Sequence, residues 1–173
     1  MSVPLADSSG LSSPEPWLRG PLPGVHPLVT PVFFTFAQVR EELAEHTAGL
    51  SSEQVWRKAA ASSLGFHLKH LAGSVDRLTT YLTGAQLTAA QLEFLRQESA
   101  SGAALPELLG LIDRNLSHSQ QQLTLLDPHS IFEPRVVGRR ALPTTVIGLL
   151  VHLAEHTQRH LGQAITLTKL LRT

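Results

Sequence analysis

The sequence predicts an all-α protein: a four-helix bundle with one or two short extra helices and an extended N-terminal arm. Four long segments repeat apolar residues at helical spacing, whereas no segment sustains the alternation of a β-strand and no internal repeat is present. The 173 residues suffice for one domain with its own core. We assign residues 1–26 to the arm and residues 27–173 to the bundle.

The arm and the first helix are separated by a change in composition. Residues 1–26 are rich in Pro, Ser and Gly, which is typical of an extended or partly disordered segment. Trp17 is apolar enough to dock, and we predict that it packs the arm onto the domain. Pro31 limits where the first helix starts, and Gly49 is its expected C-cap. Its inward positions are Val32, Phe36, Val39 and Leu43.

The remaining elements follow from caps and breakers. Residues 51–58 form a short capped turn, with Ser51 or Ser52 as N-cap. Asp127 and Pro128 stop the third long helix, and Pro143 precedes the fourth, whose N-cap is Thr144 or Thr145. The predicted ranges are 62–84 for the second long helix, 88–98 for a shorter one, about 106–126 for the third, and 129–143 for the longest non-helical stretch.

Composition excludes several classes of function. Fourteen basic and fourteen acidic residues give a net charge of zero, and no basic cluster offers a nucleic-acid footprint. The absence of Cys excludes disulfides and thiolate ligands. No apolar run approaches the ~20 residues that span a bilayer, and the N-terminus lacks signal-peptide features. We therefore expect a cytoplasmic protein that binds neither nucleic acid nor membrane.

Histidines are the most informative residues. His152, His156 and His160 stand four residues apart on the last helix, and the second helix offers His67 and His70. Residues four apart lie about 6 Å apart along a helix, so two of the three can share an ion whose bonds are ~2.0–2.1 Å. A single pair is equally typical of packed or surface histidines. Matched pairs on two helices favour a metal site, because bundles build such sites from facing helices.

Depth in the bundle selects among these histidines. If the second and fourth helices are antiparallel neighbours, His70 lies about 12 Å from one end and His160 about 16 Å from the matching end. His152 lies about 28 Å from that end and is out of reach. We predict His70, His156 and His160 as ligands of one divalent metal ion, with His67 as the reserve ligand.

Other polar residues are candidates to support these ligands. His152 is expected to pack behind them, and Gln163 or Asp76 to orient an imidazole ring. Glu155 is expected to face solvent.

Two segments resemble the helix signatures of DinB/YfiT-like proteins: "FHLKHLAGSVDRL" on the second helix and "HLAEHTQRHLGQAI" on the last. The resemblance covers roughly residues 28–172. It implies a four-helix bundle, one divalent metal ion held by His70, His156 and His160, and a homodimer. Characterised relatives include transferases and isomerases that use low-molecular-weight thiols. The segment before Val25 and the stretch "VVGRRALPTT" depart from the general pattern, so substrate assignments do not carry over.

Three neutral imidazoles leave a position open on the ion, which is typical of a catalytic site. We expect a metal-dependent enzyme acting on a small molecule, with thiol S-transfer as the candidate reaction. A non-catalytic metal- or ligand-binding bundle and a structural dimerisation module remain alternatives. Arg139, Arg140 and Trp17 are candidate substrate contacts. Imidazole ligands leave zinc, nickel, iron and manganese open as the metal.

Overall fold

Six helices form the body of the protein in the computed structural model, which describes residues 13–59 and 61–172. Four of them are long and two are short, which confirms the predicted all-α four-helix bundle with short extra helices. In chain order they are α1 (Thr30–Thr47), α2 (Ser52–Trp56), α3 (Leu64–Leu82), α4 (Ala89–Arg96), α5 (Leu105–Thr124) and α6 (Val146–Leu171).

The helices begin and end where local chemistry requires. The Ser51 hydroxyl accepts from the backbone N–H of Gln54 and forms a capping box at α2. Ser63 caps α3, one residue after the predicted start, and Thr145 caps α6 as predicted. Gly49 follows α1 with φ of +78°, a left-handed conformation that glycine adopts without strain.

The core lies where α3 packs against α5 and α6, and α1 packs against the other side of α6. Leucines dominate it, because their apolar rows recur every three to four residues along each helix. The largest fully buried side chains include Phe36, Leu43, Leu68, Leu71, Leu116, Leu150, Leu153 and Leu161. This arrangement makes α3 and α6 neighbours along most of their length.

The predicted non-helical stretch contains a 3-10 turn at Pro128–Phe132 and a small hairpin. Strand β1 (Pro134–Val137) pairs antiparallel with β2 (Leu142–Thr145). The turn between them includes Gly138 at φ +71° and Ala141 at φ +47°. Strands of four residues are too short to display a diagnostic alternation, which is why the sequence did not reveal them.

The described part of the arm docks on α1, but not through Trp17. A 3-10 turn at Pro16–Leu18 buries Pro16, and Arg19 donates to both carboxylate oxygens of Glu41, at 2.5 and 2.7 Å. Trp17 remains 58% exposed, so its predicted docking role is wrong. Successive residues of a 3-10 helix point about 120° apart, so burying Pro16 turns Trp17 outwards. Residues 1–12 of the predicted arm lie outside the described residues.

No helix formed by residues 13–59 and 61–172 combines the length and the apolarity that a bilayer-spanning segment needs.

Candidate metal centre

Four histidines meet across the contact between α3 and α6. His67 and His70 lie in the first two turns of α3, whose start Ser63 fixes as N-cap. His67 contacts His160, and His70 contacts His156, so the order along α6 is reversed and the two helices are antiparallel. The side-by-side, antiparallel arrangement used to select the candidate ligands is therefore present.

The structure brings His70, His156 and His160 together as one cluster. One nitrogen from each ring can be chosen so that all three lie within 4.8 Å of one another. Nε2 of His70 is 3.1 Å from Nε2 of His156, and the His160 ring centroid lies 4.4 Å from that of His70. Two nitrogens bound to one ion by ~2.0–2.1 Å bonds are roughly 3.3 Å apart in tetrahedral geometry, so the cluster fits a single ion.

The cluster favours neutral imidazoles. Burial, followed by the electrostatic influence of the neighbouring His70, lowers the pKa of His156 to about 4 and that of His160 to about 3. Both rings are therefore neutral near pH 7 and present lone pairs, as metal ligands must. Nδ1 of His156 is buried without a hydrogen-bond partner among residues 13–59 and 61–172. An unsatisfied buried polar atom of this kind is rare in folded proteins and requires an explanation, such as a bound water molecule or ion.

His70 is oriented by a carboxylate that the sequence analysis missed. Nδ1 of His70 donates to Oε2 of Glu98 at 2.7 Å, and Arg77 donates to the other oxygen, Oε1, at 2.6 Å. Glu98 is only 3% exposed. Because a carboxylate oxygen accepts hydrogen bonds, the contact favours the His70 tautomer that carries its proton on Nδ1, which leaves Nε2 bare towards the cluster. A weak sequence signal existed: Arg77 follows His70 by seven residues, on the same face of α3.

His67 contacts the cluster through His160. Its Nδ1 lies 3.0 Å from Nδ1 of His160, and its Nε2 lies 2.6 Å from the Ser62 hydroxyl. Burial lowers the pKa of His67, so this ring too favours its neutral form. With Nδ1 of His160 in that contact, Nε2 is the nitrogen left to face the cluster. His67, the predicted reserve ligand, thus contacts His160 but is not one of the three clustered rings.

The other predicted supporting residues differ in their relation to the ligands. His152 is exposed and its Nδ1 contacts Glu155 at 3.2 Å, while its ring packs against that of His156 with the centroids 5.1 Å apart. Asp76 accepts a hydrogen bond from Gln91 at 2.9 Å and from no histidine of the described chain. Gln163 is exposed, in a groove of about 420 Å³ that His67 also lines.

The structure does not bring Arg139, Arg140 or Trp17 to the histidines. Both arginines are exposed at the tip of the hairpin, which Arg135 ties to α3 by donating to the carbonyl oxygen of Leu82 at 2.9 Å. Leu82 lies twelve residues beyond His70, roughly 18 Å along the helix. The hairpin therefore lies at the opposite end of α3. Trp17 stands on the arm, where its indole N–H donates to Glu15.

Two grooves differ in their relation to the histidines. A groove of about 550 Å³ between α1 and α6 is mainly apolar, with Thr35, Glu155 and Gln158 as its polar side chains and no histidine in its lining. The 420 Å³ groove contains His67 and adds four further polar side chains, Ser62, Arg159, Gln163 and Thr166. Small-molecule sites combine apolar walls with a few converging polar groups, so the second groove is the better candidate for a substrate.

Comparison with known proteins agrees with this geometry. A family model described as the DinB superfamily matches residues 35–164, about three quarters of the chain. The matched range contains the four clustered histidines and Glu98. Among curated proteins, the comparison found no match.

Proposed function

The chain belongs to the DinB superfamily, and we propose that it is an enzyme whose divalent metal ion is bound by His70, His156 and His160. The observation that carries the proposal is the convergence of these three imidazoles from α3 and α6. Burial favours the neutral forms of His156 and His160, and Glu98 directs the bare nitrogen of His70 inwards. A cluster of mutually facing nitrogens without an ion would be an unfavourable way to fill this space.

The proposed reaction is the transfer of a low-molecular-weight thiol to an electrophile. A divalent ion with three neutral ligands supplies a Lewis-acid centre with an exchangeable position, which lowers the pKa of a bound thiol or water. The chain has no Cys, so the sulfur must come from a cosubstrate. The sulfur forms a bond to the electrophilic carbon, the leaving group departs with its electron pair, and the thiol proton passes to solvent.

The groove beside His67 supports a place for the cosubstrate. Arg159 and Gln163 line it from α6, and Ser62 lines it from the start of α3. The guanidinium of Arg159 matches a carboxylate such as those that glutathione and bacillithiol carry. Arg159 also contacts Glu155, so a bound carboxylate would compete with an exposed ion pair, which is weak in water.

Elemental analysis followed by a thiol screen tests the proposal. The purified protein is expected to contain one divalent metal ion per chain, and His160→Ala is expected to contain none. The metal-loaded protein, the chelated protein and His160→Ala are then compared in conjugating glutathione, coenzyme A, mycothiol and bacillithiol to a model electrophile. Only the metal-loaded wild type should exceed the uncatalysed rate.

The alternatives give different results in the same experiment. Stoichiometric metal without turnover for any thiol would favour a non-catalytic metal-binding bundle. Absence of metal from a protein purified without chelators and offered zinc, nickel, iron and manganese would favour a structural module. Turnover that survives both chelation and His160→Ala would contradict a role of the ion in catalysis.

A further inference from the structure

The stripe of α3 that carries His70 also carries Gly73 and Arg77, at positions i, i+3 and i+7. Such residues lie on one face of a helix. Glu98, which follows α4, packs its carboxylate against this face. Its Oε2 contacts His70 and its Oε1 contacts Arg77. The acid thus reaches α3 from a segment about 28 residues away in the sequence.

Gly73 provides the space for this insertion. A Cβ atom built on Gly73 would lie 2.6 Å from Oε1 of Glu98, 2.6 Å from Cε1 of Phe94 and 2.7 Å from Nη1 of Arg77. Real side chains do not approach that closely, so any larger residue would displace the carboxylate, the guanidinium or the Phe94 ring that packs beside them. The helix therefore has a gap that the carboxylate fills.

Lys69 holds the backbone on both sides of Glu98. Its ammonium group donates to the carbonyl oxygens of Gln97 at 2.6 Å and Ala100 at 3.0 Å. The lysine precedes His70 on α3, so the same turn of helix that presents the imidazole also fixes the segment carrying the acid. The position of Glu98 is therefore determined by three contacts to α3, from Lys69, His70 and Arg77.

Stability alone is a poor explanation for this arrangement. Glu98 is 3% exposed and Arg77 8% exposed, so both charges have lost most of their hydration. A buried ion pair of this kind is often no more stabilising than apolar residues of similar volume. An apolar pair would fill the gap as well, but it would leave Nδ1 of His70 without an acceptor.

We propose that Glu98 is a positioning residue for the metal centre: it fixes the tautomer and the orientation of His70, with Arg77 balancing its charge and Gly73 admitting it. This inference rests on the proposed metal function. Glu98 touches neither the ion nor the substrate and acts through His70. The affinity of the three-histidine cluster for metal is then set partly by α4 and the segment that follows it.

The test uses the double variant Arg77→Met/Glu98→Leu, which removes both buried charges and leaves neither unpaired. We expect its zinc affinity, measured by competition with a chelating dye, to fall roughly 10- to 100-fold. The matched control is Glu93→Gln/Arg96→Gln, an exposed ion pair on α4, whose affinity should stay within about twofold of the wild type. Gly73→Ala should also lower the affinity, since it moves the carboxylate while keeping all three histidines. It serves as the test variant if the double variant does not fold.

A second readout needs no metal. Nitrogen-15 NMR of the chelated wild type should show His70 protonated at Nδ1 and bare at Nε2, whereas the double variant should show a mixture of tautomers. Zinc affinity within about twofold of the wild type in both the double variant and Gly73→Ala would overturn the inference, and so would an unchanged His70 tautomer. If the wild type binds no zinc, the proposed metal function fails, while the tautomer still decides whether Glu98 orients His70.

Discussion

The two ends of α3 differ in how they hold residues that the sequence marks as functional: histidines lie on its first turns, and a hairpin with two candidate arginines is tied to its other end. Near its start, His67 and His70 are buried or half-buried and each contacts another side chain through both ring nitrogens. Beyond its other end, Arg139 and Arg140 are exposed at a hairpin tip. The buried histidines need hydrogen-bond partners within the protein because they have lost contact with water, whereas the exposed arginines can bind water instead.

Loss of a ligand should produce the largest difference between the two ends. We expect His156→Ala to lower zinc affinity by more than about 100-fold, beyond the range typical of residues that only support a ligand. His152→Ala, one turn earlier on the same helix, should retain most of the metal because that ring is exposed and contacts Glu155. Metal content after dialysis measures both. Metal retained in His156→Ala but lost in His152→Ala would place the site one turn away.

Replacement of His67, whose ring contacts His160, should have an intermediate effect on zinc affinity. His67→Phe keeps an aromatic side chain but removes the contact with Nδ1 of His160, so we expect zinc affinity to fall roughly 10-fold without loss of stoichiometry. Isothermal titration with zinc measures the change. Complete loss of binding in a folded variant would instead make His67 a ligand.

Lowering the pH should reduce the free energy of unfolding of the metal-free protein. His156 and His160 have folded-state pKa values of about 4 and 3, below their ordinary value of 6.5. The unfolded chain therefore takes up protons first, and the free energy of unfolding falls as the pH drops below about 6.5. Thermal midpoints in chelator between pH 7 and pH 5 should decrease. The slope should be smaller in His160→Leu, and an equal slope would assign the acid sensitivity to other groups.

Substitutions at the tip of the hairpin should have the smallest effect on zinc affinity and stability. Arg139→Ala/Arg140→Ala removes two exposed side chains, so we expect zinc affinity within about twofold of the wild type and an unfolding free energy within about 0.5 kcal/mol of it. Chemical denaturation and the zinc titration check this. A clear loss of affinity would contradict the separation of the two ends.

The sequence predicted those parts of the molecule that depend on local periodicity. Helical spacing located α3 and α6, and counting residues from their ends brought His70 level with His156 and His160, which the structure places together. Glu98 could not be predicted in this way. Its role depends on how the segment after α4 folds back onto α3, and a single acid after a helix does not encode that path.

The predictions for the arm and for the hairpin differed from the structure for related reasons. Trp17 was predicted to dock because it is large and apolar, yet the turn that contains it buries the smaller Pro16. The hairpin consists of two four-residue strands, and its pairing depends on an intervening turn that the composition does not distinguish from a loop. In both regions, backbone geometry over three or four residues determined which side chain faces inwards.

The pairing of α3 with α6 also has a consequence for biosynthesis. The contacting histidines are separated by 86 to 93 residues, with ring contacts drawn from the second long helix and from the last one. A nascent chain that has completed α3, α4 and α5 presents only one member of the cluster, His70, and it lacks the helix against which both α1 and α3 pack. The three-histidine cluster therefore forms only after α6 has left the ribosome, so the proposed metal ion cannot be bound by all three histidines during translation of the first 145 residues.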